Sequence, residues 1–341
     1  MNPVTPDDVF DLMDSHFTSA ALGAAMELGL FWLLREQPLD VTGVSGALGI
    51  PLNRCRYWLQ ILERAGLIEQ TPEGYAPSAS ARVAILDVYS QDTWAFLAEQ
   101  ARIDLPAVRD LTLHIREPGS TWEAQGVTPP NYFDQIVESP EMARRFTRML
   151  YEIHVPLAEE LAELLDMNGV DRLMDLGGGS GVVSLALLRR YPRLFVTVVD
   201  VENVCAAGRE IAQENSLADR ITYHAADFVH GELPSGFDMA LACDTGRYSE
   251  AVFRKVHAAL RPGGRLAIAN QFAPAEGVAH PARLDWAFLA SMRDPDSAVL
   301  TAAKVQMRLT QAGFQVLSER TLPPRAPDRW TGGWVLIEAS K

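Results

Sequence analysis

Residues 175–181 read "DLGGGSG", four glycines within five positions directly behind the apolar Leu173 and Met174. Glycines this dense let a ligand approach bare backbone. Phosphates, dinucleotides and sulfonium nucleosides all exploit such turns. Counted from Gly177, the dinucleotide fingerprint Gly-x-Gly-x-x-Gly would need a glycine where Val182 stands. No lysine followed by Ser or Thr closes the turn, so a phosphate loop is not spelled either. Carboxylates sharpen the reading. Asp175 lies two residues before the glycines, and Asp200 ends the next apolar stretch, placed to accept from both hydroxyls of a ribose. Asp227, in "AADF", is placed to accept from an adenine amino group, with Phe228 against the ring. Such aspartates often serve only as helix N-caps, but three in register with the glycines describe a cationic nucleoside without phosphate. A negative site repels a pyrophosphate and tolerates a sulfonium with an amino-acid tail.

These residues need elements to position them. From Arg172, short apolar strands alternate with helices: "RLMDLG", "LFVTVVDV", "ITYHAADF", "FDMALAC" and "RLAIANQF" are separated by longer helical stretches. This predicts an α/β, Rossmann-like doubly wound sheet with helices on both faces and ligands at the strands' carboxyl ends. "KVQMRLTQAGF" adds a helix, and "QVLSERTL" and "GGWVLIEAS" add two strands. Upstream, residues 40–80 order as helix, a turn at Gly49-Ile50-Pro51, a second helix carrying Tyr57, Leu59, Ile61 and Leu62, then strand, "TPEG" turn and strand. That is a winged helix in a mainly α-helical N-terminal domain. Residues 81–165 read as helical, broken by a three-proline loop at 116–133. A helix then starts at Ser139-Pro140, and Pro156 is expected to kink or divide it.

With 341 residues, 48% of them hydrophobic, the chain is long enough for two cores. A formal charge of −14 disfavours nucleic acid, even with a winged helix present. Arg54, Arg56 and Arg64, with Glu63 interleaved, read as a solvated face. Cys55, Cys205 and Cys243 lack metal-type spacing and suit a reducing compartment. The N-terminus carries aspartates where an export signal carries lysines, so a cytoplasmic location is expected. Residues 17–34, "FTSAALGAAMELGLFWLL", read as one apolar helix buried in a core or subunit interface and not as a membrane span.

The pattern resembles the S-adenosylmethionine-dependent class I methyltransferases. It resembles further, over nearly the whole chain, the plant-type small-molecule O-methyltransferases and their bacterial relatives. The family's "DVGGGTG" stands here as "DLGGGSG", its "GDFF" as "AADF" (225–228) and its "ALRPGGRLLI" as "ALRPGGRLAI" (259–268). Its "P…V…DLP.V" stands as "YPRLFVTVVDVENV" (191–204). The resemblance implies S-adenosylmethionine as cofactor, held by Asp175, Gly177, Gly179, Asp200, Asp227 and Phe228, with Ser180, Val201 and Cys243 alongside. It also implies a winged-helix domain over 1–105 that forms a homodimer, a helical linker over 106–155 covering the active site, and a cofactor domain over 156–341.

One family feature is missing. The fourth strand is ordinarily followed by "LHDW", whose histidine deprotonates the acceptor hydroxyl; here "LACDTGRYSEAVF" (241–253) contains none. Three residues are substitutes. Asp244 is a base or a cofactor contact, Tyr248 a hydrogen-bonding group or packing, and His280, in "EGVAHPARLDW", a base or a solvated loop histidine. His257 reads as structural, and Asp244 with His280 lacks a third metal ligand, so no metal is expected. Phe146 and Met149 on one segment, and Trp286, Phe288 and Met292 on another, are implied to wall the acceptor cavity, with His154 and Arg247 nearby. The expected activity is methyl transfer to a small aromatic, enolisable or polyketide-like acceptor. Carbon or nitrogen is favoured over oxygen, because those nucleophiles need less base assistance. The alternative is a relative that keeps the cofactor for cyclisation, decarboxylation or hydroxylation.

Overall fold

The computed structural model describes residues 4–124, 126, 132–294, 296–297, 299–323 and 333–341. Part of the loop expected at 116–133, and Gly332 of the expected last strand, lie outside the described residues. The chain divides into two units, Met1–Pro106 and Ala107–Lys341.

In the first unit, the Pro6–Glu27 helix opens on a reciprocal cap. Thr5 accepts from the Asp8 backbone while the Asp8 carboxylate accepts from the Thr5 backbone at 2.8 Å. The single apolar helix expected over 17–34 is instead two. Gly29, at φ 71°, breaks the chain between Pro6–Glu27 and Leu30–Glu36, which meet at 61°. Buried residues of the first helix are confined to its end, Ala21, Ala25 and Met26. Among the described residues no single helix is long and apolar enough to cross a membrane, though this bent pair reaches that length and composition jointly. The winged-helix order follows: Val41–Leu48, capped by Asp40 accepting from Gly43 at 2.7 Å, then Leu52–Arg64, then the antiparallel pair β1 (Ile68–Thr71) and β2 (Gly74–Pro77). Phe31, Leu34, Leu59, Leu62 and Ile68 form its core.

The second unit is built on a seven-stranded sheet of β3 (Arg172–Leu176), β4 (Phe195–Asp200), β5 (Ile221–Ala225), β6 (Phe237–Cys243), β7 (Leu260–Asn270), β8 (Gln315–Thr321) and β9 (Val335–Ser340). The strand order is β5-β4-β3-β6-β7-β9-β8. The first five run parallel, while β9 pairs antiparallel with both β7 and β8. One apolar layer packs on each face of this sheet. Successive strands leave β3 toward β4 on one side and β6 lies on the other, so a crevice opens between the carboxyl ends of β3 and β6.

Ser139 caps the next key element, accepting from the Met142 backbone, with Pro140 at the first helical position. The Pro140–Leu164 helix runs on through Pro156 rather than dividing there. Burial of Ile153, Leu157, Ala158 and Leu161 along one face opposes the cost of a helix-interior proline, about 3 kcal/mol. The boundary expected at 155/156 therefore falls inside a continuous helix. The loop expected at 116–133 includes one helical turn, Thr121–Ala124, and the start of the Tyr132–Glu138 helix. Trp122 anchors that turn by packing against Met292.

Candidate functional site

The glycine turn bridges β3 and the Val182–Arg190 helix. Gly177, Gly179 and Gly181 adopt φ of 64°, 57° and 76°, a region costly for side chains with Cβ. An open cleft lies over this turn. It is lined by Gly177 and Gly179 from the turn, Asp200 and Val201 from the end of β4, Asp227 and Phe228 after β5, and Asp244, Thr245 and Arg247 after β6. Phe133, Ile136, Phe146, Thr147 and Leu150 form its apolar wall. A Cβ on Gly179 would meet nothing within 4 Å, so the turn leaves free space above its backbone.

The carboxylates are not helix caps of the ordinary kind. Asp200 accepts from the Gly179 backbone at 2.9 Å and from Val201 at 2.8 Å, tying the end of β4 to the turn. Burial pushes its carboxyl up to about 6, opposed by those two hydrogen bonds. Asp227 accepts from the Val229 backbone at 2.9 Å. The segment after it is fixed by Lys255, whose ammonium donates to the carbonyls of Phe228, Val229 and Gly231.

Asp175 does not reach the cleft. It lies beneath the turn, where Oδ2 accepts from Ser184 Oγ at 2.6 Å and Oδ1 has no partner. A Cβ on Gly178 would come within 2.7 Å of both its oxygens, so the turn is seated on this carboxylate. Burial raises Asp175 to about 6, and the charge of Asp200 adds to the rise, while Ser184 opposes it. The folded chain thus holds an extra proton between the ordinary value of 3.8 and about 6. The stabilisation this proton provides is full below the lower value and lost as pH rises through the higher. Asp175→Asn is expected to flatten this loss, which is worth up to about 3 kcal/mol, and to raise the melting temperature at alkaline pH. Thermal melts from pH 4 to 8 check it; a variant with the parent's pH slope would contradict the assignment.

The three substitutes for the family histidine are all engaged otherwise. Asp244 lines the cleft, at a strained φ of 51°, but its Oδ2 accepts from the Arg283 guanidinium at 2.7 Å. Arg283 also donates to Gln271 at 2.6 Å and lies 5.8 Å from the Trp286 ring centroid. The oxygen in that ion pair is not offered to an acceptor. Tyr248 is buried behind the cleft, its hydroxyl accepting from the Thr245 backbone at 3.2 Å and from Asn270 at 3.1 Å. It props the turn after β6. His280 caps the short Pro281–Arg283 helix, accepting from Ala282 at 3.2 Å, and its ring fills the space beside Gly333. Neither Tyr248 nor His280 lines the cleft.

Several expected contacts also sit away from it. Ser180 and Met149 are buried, and Cys243 is half-buried, its thiol pushed well up by burial. Met292 packs with Trp122, while Trp286 is 52% exposed. His154 is half-buried, with its Nδ1 on the Leu150 carbonyl at 2.9 Å and its ring edge-on to Trp334. Burial holds it below the usual histidine range, partly offset by the charge of Asp244. Phe146 and Arg247 do line the cleft. Sequence reasoning missed Thr147, Thr245 and Arg283. Arg283 had one available signal: the unbalanced negative charge of Asp244 needs a cation. Among the described residues no group of three His, Cys, Asp or Glu is placed to hold a metal.

A doubly wound sheet with a glycine turn, strand-end carboxylates and no phosphate-binding lysine has the features of a nucleoside-binding domain. Residues 108–315 match the O-methyltransferase domain family, and the chain belongs to it. It is an S-adenosylmethionine-dependent methyltransferase. It is 26% identical over 342 residues to the N,N-dimethyltransferase OxyT of Streptomyces rimosus, covering 96% of this chain and 95% of that one. It is 29% identical over 284 residues to 3-hydroxy-5-methyl-1-naphthoate 3-O-methyltransferase of Streptomyces sahachiroi, covering 78% and 77%. In fold it is similar to mitomycin 7-O-methyltransferase MmcR, with a TM-score of 0.82 at 22% identity over 98% of this chain and 97% of that one.

Proposed function

We propose that this methyltransferase acts on a small aromatic or enolisable, polyketide-like acceptor at a nitrogen or carbon already nucleophilic, in preference to an unactivated hydroxyl. The observation supporting this is the state of the cleft beside Asp244: its Oδ2 is paired with Arg283, Tyr248 is buried, and His280 is a cap. The relatives named above include an N,N-dimethyltransferase and an O-methyltransferase of a naphthoate, so transfer to nitrogen and transfer to oxygen both occur among them.

The residues suit the cofactor. Asp200, Asp227, Phe228, Gly177 and Gly179 all line the cleft, where Asp200 would accept from the ribose hydroxyls, Asp227 from the purine amino group, and Phe228 would cover the purine face. Bound there, S-adenosylmethionine supplies an electrophilic methyl group on a sulfonium. The protein's share is alignment and exclusion of water: Phe133, Phe146 and Leu150 confine a flat acceptor against the open side of the turn. With no committed base, the proton lost by a nitrogen or enol acceptor passes to solvent.

Labelled cofactor offered with arylamines, enolisable keto acids and phenols tests this reading. Labelled N- or C-methyl products, with S-adenosylhomocysteine released one for one, are expected. Predominant methylation of simple phenols contradicts the atom preference, and acceptor turnover without S-adenosylhomocysteine favours the non-methylating alternative. We further propose a homodimer. Phe10, Met13 and Phe17 recur along one face of the Pro6–Glu27 helix and are each more than half exposed in the single chain. Sedimentation at twice the 37.5 kDa chain mass is expected; a monomer at micromolar concentration would refute it.

A further inference from the structure

Resting on the reading of the cleft as the seat of S-adenosylmethionine, we propose that Lys255 is a positioning residue for the cofactor's base. By clamping the turn after β5 it fixes the Asp227 carboxylate on the purine amino group, and so sets a preference for adenine over a 6-oxopurine. The feature that carries this is a half-buried ammonium set among carbonyls. Lys255 Nζ donates to Val229 at 2.7 Å, to Gly231 at 2.8 Å and, at longer range, to Phe228 at 3.4 Å. These bonds use all the donors a lysine has. Among the described residues no carboxylate pairs with it, whereas Arg254, its neighbour on the Glu250–Ala259 helix, pairs with Glu250.

The other polar groups of the turn converge on Asp227. Its carbonyl accepts from His230 at 3.1 Å and Gly231 at 2.6 Å, and its Oδ1 accepts from the Val229 backbone at 2.9 Å. The amides of the turn therefore face the aspartate while its carbonyls face the lysine. A Cβ on Gly231 would stand 2.9 Å from the Asp227 carbonyl oxygen, so the turn is drawn tight. Oδ1 is held, and Oδ2 is left open: His230 Nε2 lies 4.0 Å from it, beyond hydrogen-bond reach. Asp227, Phe228, Val229 and His230 all line the cleft. Phe228 and Val229 also pack on the apolar cluster that holds Val252, Phe253 and Val256, so the same helix grips the turn through its lysine and through its core face.

Rigidity here has a chemical consequence. An ionised carboxylate only accepts hydrogen bonds, and the adenine amino group donates one. A 6-oxopurine presents an acceptor at that position and carries its proton on the adjacent ring nitrogen. A carboxylate fixed opposite the amino group meets the oxo group with no proton between them, which leaves both unsatisfied. A carboxylate free to swing reaches the neighbouring ring N–H and tolerates either base.

The test titrates the full chain calorimetrically at neutral pH with S-adenosylhomocysteine and with S-inosylhomocysteine, its 6-oxopurine counterpart. The parent is expected to favour the adenosyl compound about tenfold or more, a difference of about 1.4 kcal/mol. Lys255→Met should narrow this preference to about threefold or less, and Lys255→Arg, which keeps the charge, should retain most of it. Arg254→Met should keep the parent's ratio. In an Asp227→Ala background Lys255→Met should change the ratio no further, because it acts through that carboxylate. Saturable S-adenosylhomocysteine binding reports that each variant is folded; if Lys255→Met shows none, Lys255→Gln is read for the same ratio. A preference that survives loss of the ammonium, or losses that add in the double variant, overturns this inference alone. A parent that binds both compounds equally removes Asp227 from the purine and the inference with it. Failure to bind either overturns the reading of the cleft as the cofactor's seat.

Discussion

Asp200→Ala is expected to weaken S-adenosylhomocysteine binding by about 10- to 100-fold, the loss of a charge-assisted hydrogen bond of roughly 1.5–3 kcal/mol. The carboxylate is at once ligand and strut. Its two oxygens accept from Gly179 at 2.9 Å and Val201 at 2.8 Å, so alanine strands two backbone donors in addition to removing the ribose partner. The same group sets a pH dependence. Burial raises Asp200 to about 6, and the ionised form is the one that accepts from the sugar. Affinity should therefore hold at neutral pH and fall as the solution is acidified below about pH 6. Titration calorimetry on parent and variant across pH 5 to 8 measures both effects. An Asp200→Ala variant with undiminished affinity would remove this carboxylate from the site.

Gly177→Val should be similarly damaging for a different reason. At φ 64° a β-branched side chain is strained, and its Cβ would stand 2.8 Å from Thr245 Cγ2 and 3.1 Å from Phe228 Cε1. Strain of about 1–2 kcal/mol and overpacking of about 1–3 kcal/mol add to a loss of several kcal/mol in stability. Gly179→Ala separates the two functions of the turn. Its Cβ meets no protein atom, so stability falls only by the backbone strain, while cofactor affinity falls because the methyl group enters the cleft. A melt and a cofactor titration on each variant check this. Equal loss of stability in both would contradict the close packing over Gly177.

The parts of the site that were legible are those set by chain order. In a doubly wound sheet, position along a strand dictates which end a residue occupies, so the glycine turn and the strand-end aspartates could be placed from spacing alone. Asp200 and Asp227 do reach the cleft. Asp175 does not, because spacing cannot tell a carboxylate beside a turn from one beneath it. The availability of a substitute base is illegible for a related reason. Composition reveals that Asp244, Tyr248 and His280 carry the right atoms, but their availability depends on partners distant in sequence, Arg283, Asn270 and Ala282 among them. Lys255 had no sequence signal: the carbonyls it holds, those of Phe228, Val229 and Gly231, meet it only in the folded chain. In the N-terminal unit the winged-helix order was legible from its glycines and alternating apolar residues. The break at Gly29 was not, since glycine inside an apolar stretch is compatible with a continuous helix.

The account depends most on the cofactor's seat, and a crystal structure of the complex with S-adenosylhomocysteine tests it most directly. The expected result is a ribose within hydrogen-bond distance of Asp200, a purine against Phe228 with its amino group on Asp227, and the sulfur facing the wall of Phe146 and Thr147. A nucleoside bound outside the cleft, or one whose sugar and base avoid both carboxylates, would contradict it.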